Sequence, residues 1–296
     1  MGAITYMQKI LQVRNLTKYY GKVLGVKDVD LELYEGEVFG FIGPNGAGKS
    51  TTIRSILNLI NKTSGEVFFN GKKLTKDDTE LKRQIGYLPS EVNLYEDLTV
   101  KEMLDFHARF YGKDTSERRK ELVGRLKLDE TKKIEDLSLG NLKKTGIVLA
   151  FMHEPKLLIL DEPTSGLDPI IQQEFYNLLS EEKQKGTTVF YSTHVLNEIS
   201  KICDRVGIIK SGRMLKTEPI NELIEKNLSY VTVISKDNNE IIKELNLEEY
   251  SVKDDTLTFK NTFGSNKLIK ALAKFDLEKL YVEPAPIEDI FLHYYE

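Results

Sequence analysis

The nine residues GPNGAGKST (43–51) constrain the fold of this 296-residue chain more than any other stretch. They fit the pattern G-x-x-x-x-G-K-[ST]. The run before them, EVFGFIG (37–43), is rich in β-formers, and STTIRSILNLI (50–60) after them sets Ile53, Ile56, Leu57 and Ile60 on one helical face. A glycine loop between a strand and a helix turns consecutive N–H groups inward on phosphate oxygens, and the helix start adds its positive end. By average residue usage the pattern alone arises in roughly one chain in a hundred of this length, so the strand and helix around it decide the matter. Gly43, Pro44, Asn45, Gly46, Ala47, Gly48, Lys49, Ser50 and Thr51 are therefore assigned to a nucleoside triphosphate. Lys49 faces its β and γ phosphates and the Ser50 hydroxyl ligates Mg²⁺.

A second stretch completes that chemistry. KLLILDEP (156–163) is a near-continuous apolar strand, as expected in a parallel sheet covered on both faces. Asp161 and Glu162 close it. One carboxylate there holds Mg²⁺ through water, and the other polarises a water for in-line attack. Neighbours on a strand point to opposite faces, so the two roles differ unless the strand has already ended. Asp161 is assigned to the metal and Glu162 to the water. TTVFYSTH (187–194) reads as a further strand, and short apolar strands alternating with periodic helices predict an α/β domain. From about 92 to 150 the pattern is mostly helical and charged, which predicts a helical subdomain inserted into the sheet domain.

A break falls near EPINELIEKNLSY (218–230), and a small α+β unit is expected beyond it. YVTVI (230–234), LTF (257–259) and KLYVE (279–283) read as strands, and NKLIKALAKF (266–275) as an amphipathic helix. The tail IEDIFLHYY places Ile287, Ile290, Phe291 and Tyr294 on one helical face. The expected organisation is an ATPase domain over 1–225 and a C-terminal domain over 226–296. The formal charge of −4 gives no basic footprint for nucleic acid. A single cysteine, Cys203, rules out an intramolecular disulfide framework and fits a reducing cytoplasm. The four histidines show no metal-ligand spacing, and no apolar run approaches the ~20 residues of a spanning helix. MGAITYMQKI resembles neither a signal peptide nor a myristoylation site, since Tyr6 stands where Ser or Thr is wanted. A soluble protein is expected, held at a membrane only through another polypeptide.

The phosphate loop, then LSLGN (137–141), then LLILDEPTSGLDP, then STH occur in the order found in the ATP-binding subunit of an ABC transporter, and this chain resembles one from about residue 8 to 220. The resemblance implies a P-loop NTPase ABC ATPase fold with ATP and Mg²⁺ as ligands. It implies that Tyr20 in LTKYYGK stacks on adenine, although a strand-edge role beside Tyr19 is a rival reading. It also implies that SGLD (165–168) crosses a dimer axis and that His194 contacts the γ-phosphate. In the family two subunits pair head to tail, and the signature, usually LSGGQ, closes over ATP held by the other copy. Here Ser138 and Gly140 are kept, while Leu139 replaces a glycine and Asn141 a glutamine. Ser138 still offers a hydroxyl to the γ-phosphate, Gly140 still permits close backbone approach, and Asn141 keeps the amide. Sequences close to LS-x-GN occur in the branch that pairs with separate permeases, including antibiotic exporters. In IGYLPSE (85–91), Ser90 stands where the family commonly has a glutamine that reaches Mg²⁺ and links the site to the permease. Either Ser90 acts on the metal through a water or Glu91 rotates in.

The implied function is a half-motor. Two copies bind two ATP, clamp shut and drive an exporter whose transmembrane permease is a separate chain. The segment NLYEDLTVKEML (93–104) is the surface expected to meet that permease. The end PAPIEDIFL resembles ATPases serving ABC-2 type exporters, among them bacitracin-type resistance systems. The expected location is cytoplasmic, peripheral on the inner face of the membrane. The alternatives are a non-transport ABC ATPase acting on ribosomes or DNA, and an ATP sensor with little turnover. One phosphate loop per chain, no long heptad run and the acidic balance argue against the first. Glu162 and His194 argue against the second.

Overall fold

The computed structural model describes residues 8–225, 229–261 and 264–284. The expected tail helix at Ile287–Tyr294, most of PAPIEDIFL and the first seven residues lie outside the described residues.

Two strands of twelve residues open the chain, β1 (Lys9–Tyr20) and β2 (Val23–Tyr34), paired antiparallel. The alternation of strands with helices thus begins only at β3 (Val38–Ile42), which is buried along its whole length, and α1 (Lys49–Ile56) after the glycine loop. This helix stops earlier than its apolar spacing suggests. Asn58 takes a left-handed backbone, φ 55°, so Ile60 lies beyond the helix rather than on its face. Then follow β4 (Ser64–Phe69), β5 (Lys72–Lys73), α2 (Thr79–Lys82) and β6 (Ile85–Leu88). A helical stretch comes next: α3 (Val100–Ala108), α4 (Ser116–Arg125), a 3₁₀ turn at Ile134–Asp136 and α5 (Leu139–Phe151). The chain continues through β7 (Leu157–Asp161), α6 (Pro169–Gln184), β8 (Thr188–Thr193), α7 (Leu196–Ile202), β9 (Arg205–Lys210), β10 (Arg213–Pro219) and α8 (Ile220–Glu225).

The central sheet has the order β10-β9-β3-β8-β7-β6, and the five strands from β9 to β6 run parallel. β7 and β8, like β3, are buried throughout, which is why apolar residues dominate both faces of their central positions, with buried polar residues at Asp161, Thr188, Ser192 and Thr193. A second, antiparallel sheet, β2-β1-β4-β5, shares one core with the first, including Leu11, Leu16, Val29, Phe39, Phe41, Ile53, Phe69 and Phe190. Thr99 and Glu102 form a capping box that starts α3. The buried ion pair between Arg118 and Glu182, 2.5 Å apart, fastens α4 to α6, and Arg125 adds contacts to Glu174 and Glu181.

Contacts divide the chain into two compact units between Glu218 and Pro219. The second opens with α8 and holds β11 (Ser229–Ile234), α9 (Asn238–Leu245), β12 (Tyr250–Lys253), β13 (Thr256–Asn261), α10 (Ser265–Leu272) and β14 (Lys279–Pro284). Its sheet order is β12-β13-β11-β14, antiparallel throughout, the split β-α-β arrangement. It has its own core, built on Val231, Val233, Ile241, Leu257, Phe259 and Leu268. Among the described residues no helix is long and apolar enough to cross a membrane.

Candidate nucleotide site

Because β3, β8, β7 and β6 are parallel neighbours, their carboxyl ends lie side by side, where open α/β sheets place ligands. The register keeps these ends level: Ile42 pairs with Thr193, Asp161 with Ser192, and Leu160 with Leu88. The glycine loop, His194, Glu162 and Ser90 are what the chain places just past those four ends. A cleft of about 440 Å³ is lined there by Tyr20, Asn45, Gly46, Gly48, Lys49, Ser50, Thr51, Ser90 and Glu162, with Leu24 and Gly25 at its wall.

The loop's glycines are steric necessities at two positions. Gly48 caps α1 at φ 109°, and a Cβ there would lie 2.6 Å from Val26 Cγ1. A Cβ on Gly43 would lie 2.4 Å from the Ile209 carbonyl oxygen. Lys49 is 7% exposed and donates from Nζ to the Gly43 carbonyl at 2.7 Å, with Glu162 Oε1 3.6 Å away. Pro44 supplies a backbone acceptor to the same ammonium, and Ala47 is packed into the core.

Asp161 is fully buried. Its Oδ1 accepts from the Ser192 hydroxyl at 2.9 Å, while Oδ2 has no partner. An orphaned carboxylate oxygen in the interior costs on the order of 1–3 kcal/mol or more, and a divalent cation is the chemistry that would satisfy it. The residues present therefore fit Mg²⁺. Glu162 follows with φ 49°, so the strand ends at Asp161 and the alternation of faces ends with it. A left-handed glutamate costs on the order of 1–3 kcal/mol, held here by its N–H donating to the Ser192 carbonyl at 2.9 Å. The turn brings Glu162 Oε2 to 2.8 Å from His194 Nδ1. His194 is half exposed and is not among the residues lining the cleft.

Tyr20 ends β1 with a half-exposed ring at the cleft, and the Lys18 ammonium lies 4.8 Å from its centroid. Tyr19 is not in the lining; its N–H is committed to Thr63 Oγ1. Ser138, Gly140 and Asn141 are not in the lining either. Ser138 caps α5 by accepting the Asn141 N–H. Leu139 is exposed, and a Cβ on Gly166 of SGLD would come within 3.2 Å of its side chain. A Cβ on Gly140 would lie 2.9 Å from the Gly166 carbonyl oxygen, so close backbone approach is a requirement at that position. Asp168 caps α6 through the N–H groups of Ile170 and Ile171.

One neighbour of the site was not singled out from the sequence. Lys143, buried on α5, donates to the carbonyls of Pro89 and Ser90 at 3.1 and 2.9 Å. Burial pushes its ammonium down to about 8, against the opposing pull of Asp161 and Glu162. Its only signal was a lysine at an inward-facing position of a helix, two residues after Asn141.

Residues 26–165 match the family described as ABC transporter. The bacitracin transport ATP-binding protein BcrA of Bacillus licheniformis is 34% identical over 298 residues, covering 97% of each chain. The linearmycin resistance ATP-binding protein LnrL of Bacillus subtilis is 40% identical over 211 residues, 70% of this chain and 68% of that one. Among solved structures, the dimeric post-hydrolysis state of the ATP-binding cassette MJ0796, bound to ADP and Pi, superposes with TM-score 0.64 at 29% identity. It covers 71% of this chain and 98% of the other.

Proposed function

This chain belongs to the ABC transporter family as an ATP-binding, ATP-hydrolysing subunit, and from that premise we propose that two copies clamp over two ATP and power an exporter with a separate permease. The ATPase work is assigned to residues 1–225, and 226–296 to an appended domain. Tyr20 stacks on adenine. The loop from Gly43 to Thr51 cradles the phosphates, with Lys49 at the β and γ positions. Ser50 and Asp161 hold Mg²⁺, with Ser90 beside them, and the metal supplies charge neutralisation on the phosphates. Glu162 orients and deprotonates the attacking water, and His194 holds the other oxygen of that carboxylate while facing the γ-phosphate. Ser138, Gly140 and Asn141 act on the ATP of the opposite copy.

The observation that carries this reading is the division of the site. One chain gathers the phosphate loop, Lys49 and Glu162 in a single cleft, while its signature residues lie outside that cleft. A second copy is the economical source of the missing donors. The exposed rings of Tyr95, Phe106 and Phe110, in edge-to-face contact at 6.0 and 5.2 Å, support the region of 93–104 as the permease surface. The position on the inner face of the membrane rests on the proposed permease contact; among the described residues no helix is long and apolar enough to cross a membrane. Export is supported by the relatives' roles in bacitracin transport and linearmycin resistance.

Glu162→Gln tests the clamp. With Mg²⁺ and ATP it should elute from a sizing column as a dimer, because the sandwich forms and hydrolysis cannot release it. Omitting ATP, or adding Lys49→Ala, should return it to monomer. A variant that stays monomeric at saturating ATP would contradict the reading.

A further inference from the structure

Glu198, on α7, is 6% exposed and takes no part in the chemistry assigned above. Its carboxylate accepts four hydroxyl hydrogen bonds, two on each oxygen. Oε1 receives Thr164 Oγ1 at 2.6 Å and the Tyr176 hydroxyl at 3.0 Å. Oε2 receives the Tyr191 hydroxyl at 2.9 Å and Thr193 Oγ1 at 2.8 Å. Thr164, Tyr191 and Thr193 are themselves buried. A buried carboxylate is tolerated when donors fill its lone pairs, and all the donors here are neutral hydroxyls. Burial, reinforced by the Glu198 charge, pushes the Tyr176 and Tyr191 phenols above their usual range, so both stay protonated donors.

The four donors come from the three segments that surround the reacting groups. Thr164 lies two residues past Glu162, in the turn that follows β7. Tyr191 and Thr193 sit on one face of β8, and Thr193 immediately precedes His194. Tyr176 is on α6, which begins at the end of SGLD. Thr193 Oγ1 also accepts the Val195 N–H at 3.0 Å, which closes the turn carrying His194. Glu198 thus ties the turn after Glu162, through Thr164, to the strand end that leads into His194, through Thr193.

We propose that Glu198 is a positioning residue for hydrolysis, setting the 2.8 Å approach of His194 to Glu162 through Thr164 and Thr193. It is not among the residues lining the nucleotide cleft. The inference rests on the assignment of Glu162 and His194 to the reaction. Glu198→Gln keeps the shape of the side chain but replaces one acceptor oxygen with an N–H₂ donor. Two buried hydroxyl protons then lose their acceptor, and the two turns lose their common anchor.

The test is a double-variant cycle on the full chain: Glu198→Gln, His194→Ala and the two together, with kcat and KM for ATP measured beside thermal midpoints. Thr193→Val serves as the second probe should Glu198→Gln not fold. Glu198→Gln should lower kcat about tenfold and leave KM within about twofold, since the phosphate loop and Tyr20 are untouched. In the His194→Ala background it should cost less than about twofold more. Thr193→Val should show the same pattern. The proposal is overturned if folded Glu198→Gln keeps the wild-type kcat, or if its loss multiplies fully with that of His194→Ala. A His194→Ala rate equal to wild type would mean that the assignment of His194 itself fails, and the positioning role with it.

Discussion

At the scale of single residues, the site divides into groups the sequence displays and groups it conceals. The glycine loop was legible because its chemistry demands neighbours in sequence: successive N–H groups can converge on phosphate only from successive residues. Asp161 and Glu162 were legible for a similar reason, yet their geometry was not. Alternation left open where each would point, and a left-handed Glu162 settles it. Glu198 and Lys143 were invisible, because their partners lie 5 to 34 and 53 or 54 positions away and only the fold assembles them. Lys143 also bears on Ser90. It grips the backbone of the loop in which a serine replaces the family's glutamine, so the loop is held without a side chain long enough to reach the metal. Ser90→Gln should therefore tighten the metal, lowering the half-saturating Mg²⁺ concentration for ATP hydrolysis by roughly three- to tenfold, the reach of one added ligand contact. An unchanged Mg²⁺ titration would remove Ser90 from the metal's surroundings.

At the scale of elements, the buried parallel strands announced themselves, while elements that lean on a neighbour did not. β7 is apolar on both faces up to Asp161, and β8 through Val189, Phe190 and Tyr191, because both strands are covered on both sides. β12 (YSVK) alternates over only four residues, all of them exposed, too short a run to mark a strand. α1 ends by a backbone choice at Asn58, which apolar spacing cannot show. Between α3 and α5 the fold also assembles a histidine pair that sequence separates by 46 positions. His153 stacks on Tyr111 at 3.8 Å with its Nε2 3.3 Å from the Ile85 carbonyl, and His107 lies 5.2 Å from the same tyrosine ring. Burial pushes both imidazoles down to about 4, and the Nδ1 atom of each is buried without a partner. The unfolded chain takes up these two protons below about pH 6.5 and the folded chain does not until about 4. Stability present above pH 6.5 is therefore lost as pH falls toward 4, at up to roughly 1.4 kcal/mol per pH unit for each histidine. Denaturant midpoints between pH 7 and 5 should fall more steeply for the native chain than for His153→Gln. Parallel curves would show that His153 stays solvated.

At the scale of the whole molecule, the chain comprises an ATPase unit and a split β-α-β unit, each with a separate core. The first was foreseeable as α/β from its motifs. The topology of the second was not, since antiparallel order among short strands is set by pairing rather than by any residue's preference. The central claim concerns neither unit alone: it is that hydrolysis belongs to a pair of chains, each lending Ser138, Gly140 and Asn141 to the other's ATP. The most direct test is the Mg²⁺-ATPase rate of the purified chain, beside Glu162→Gln, across a hundredfold range of protein concentration. The account predicts that specific activity rises with concentration toward a plateau and that Glu162→Gln stays at least about a hundredfold lower throughout. A native rate per chain that is constant down to the lowest concentration, or one no faster than Glu162→Gln, would contradict it.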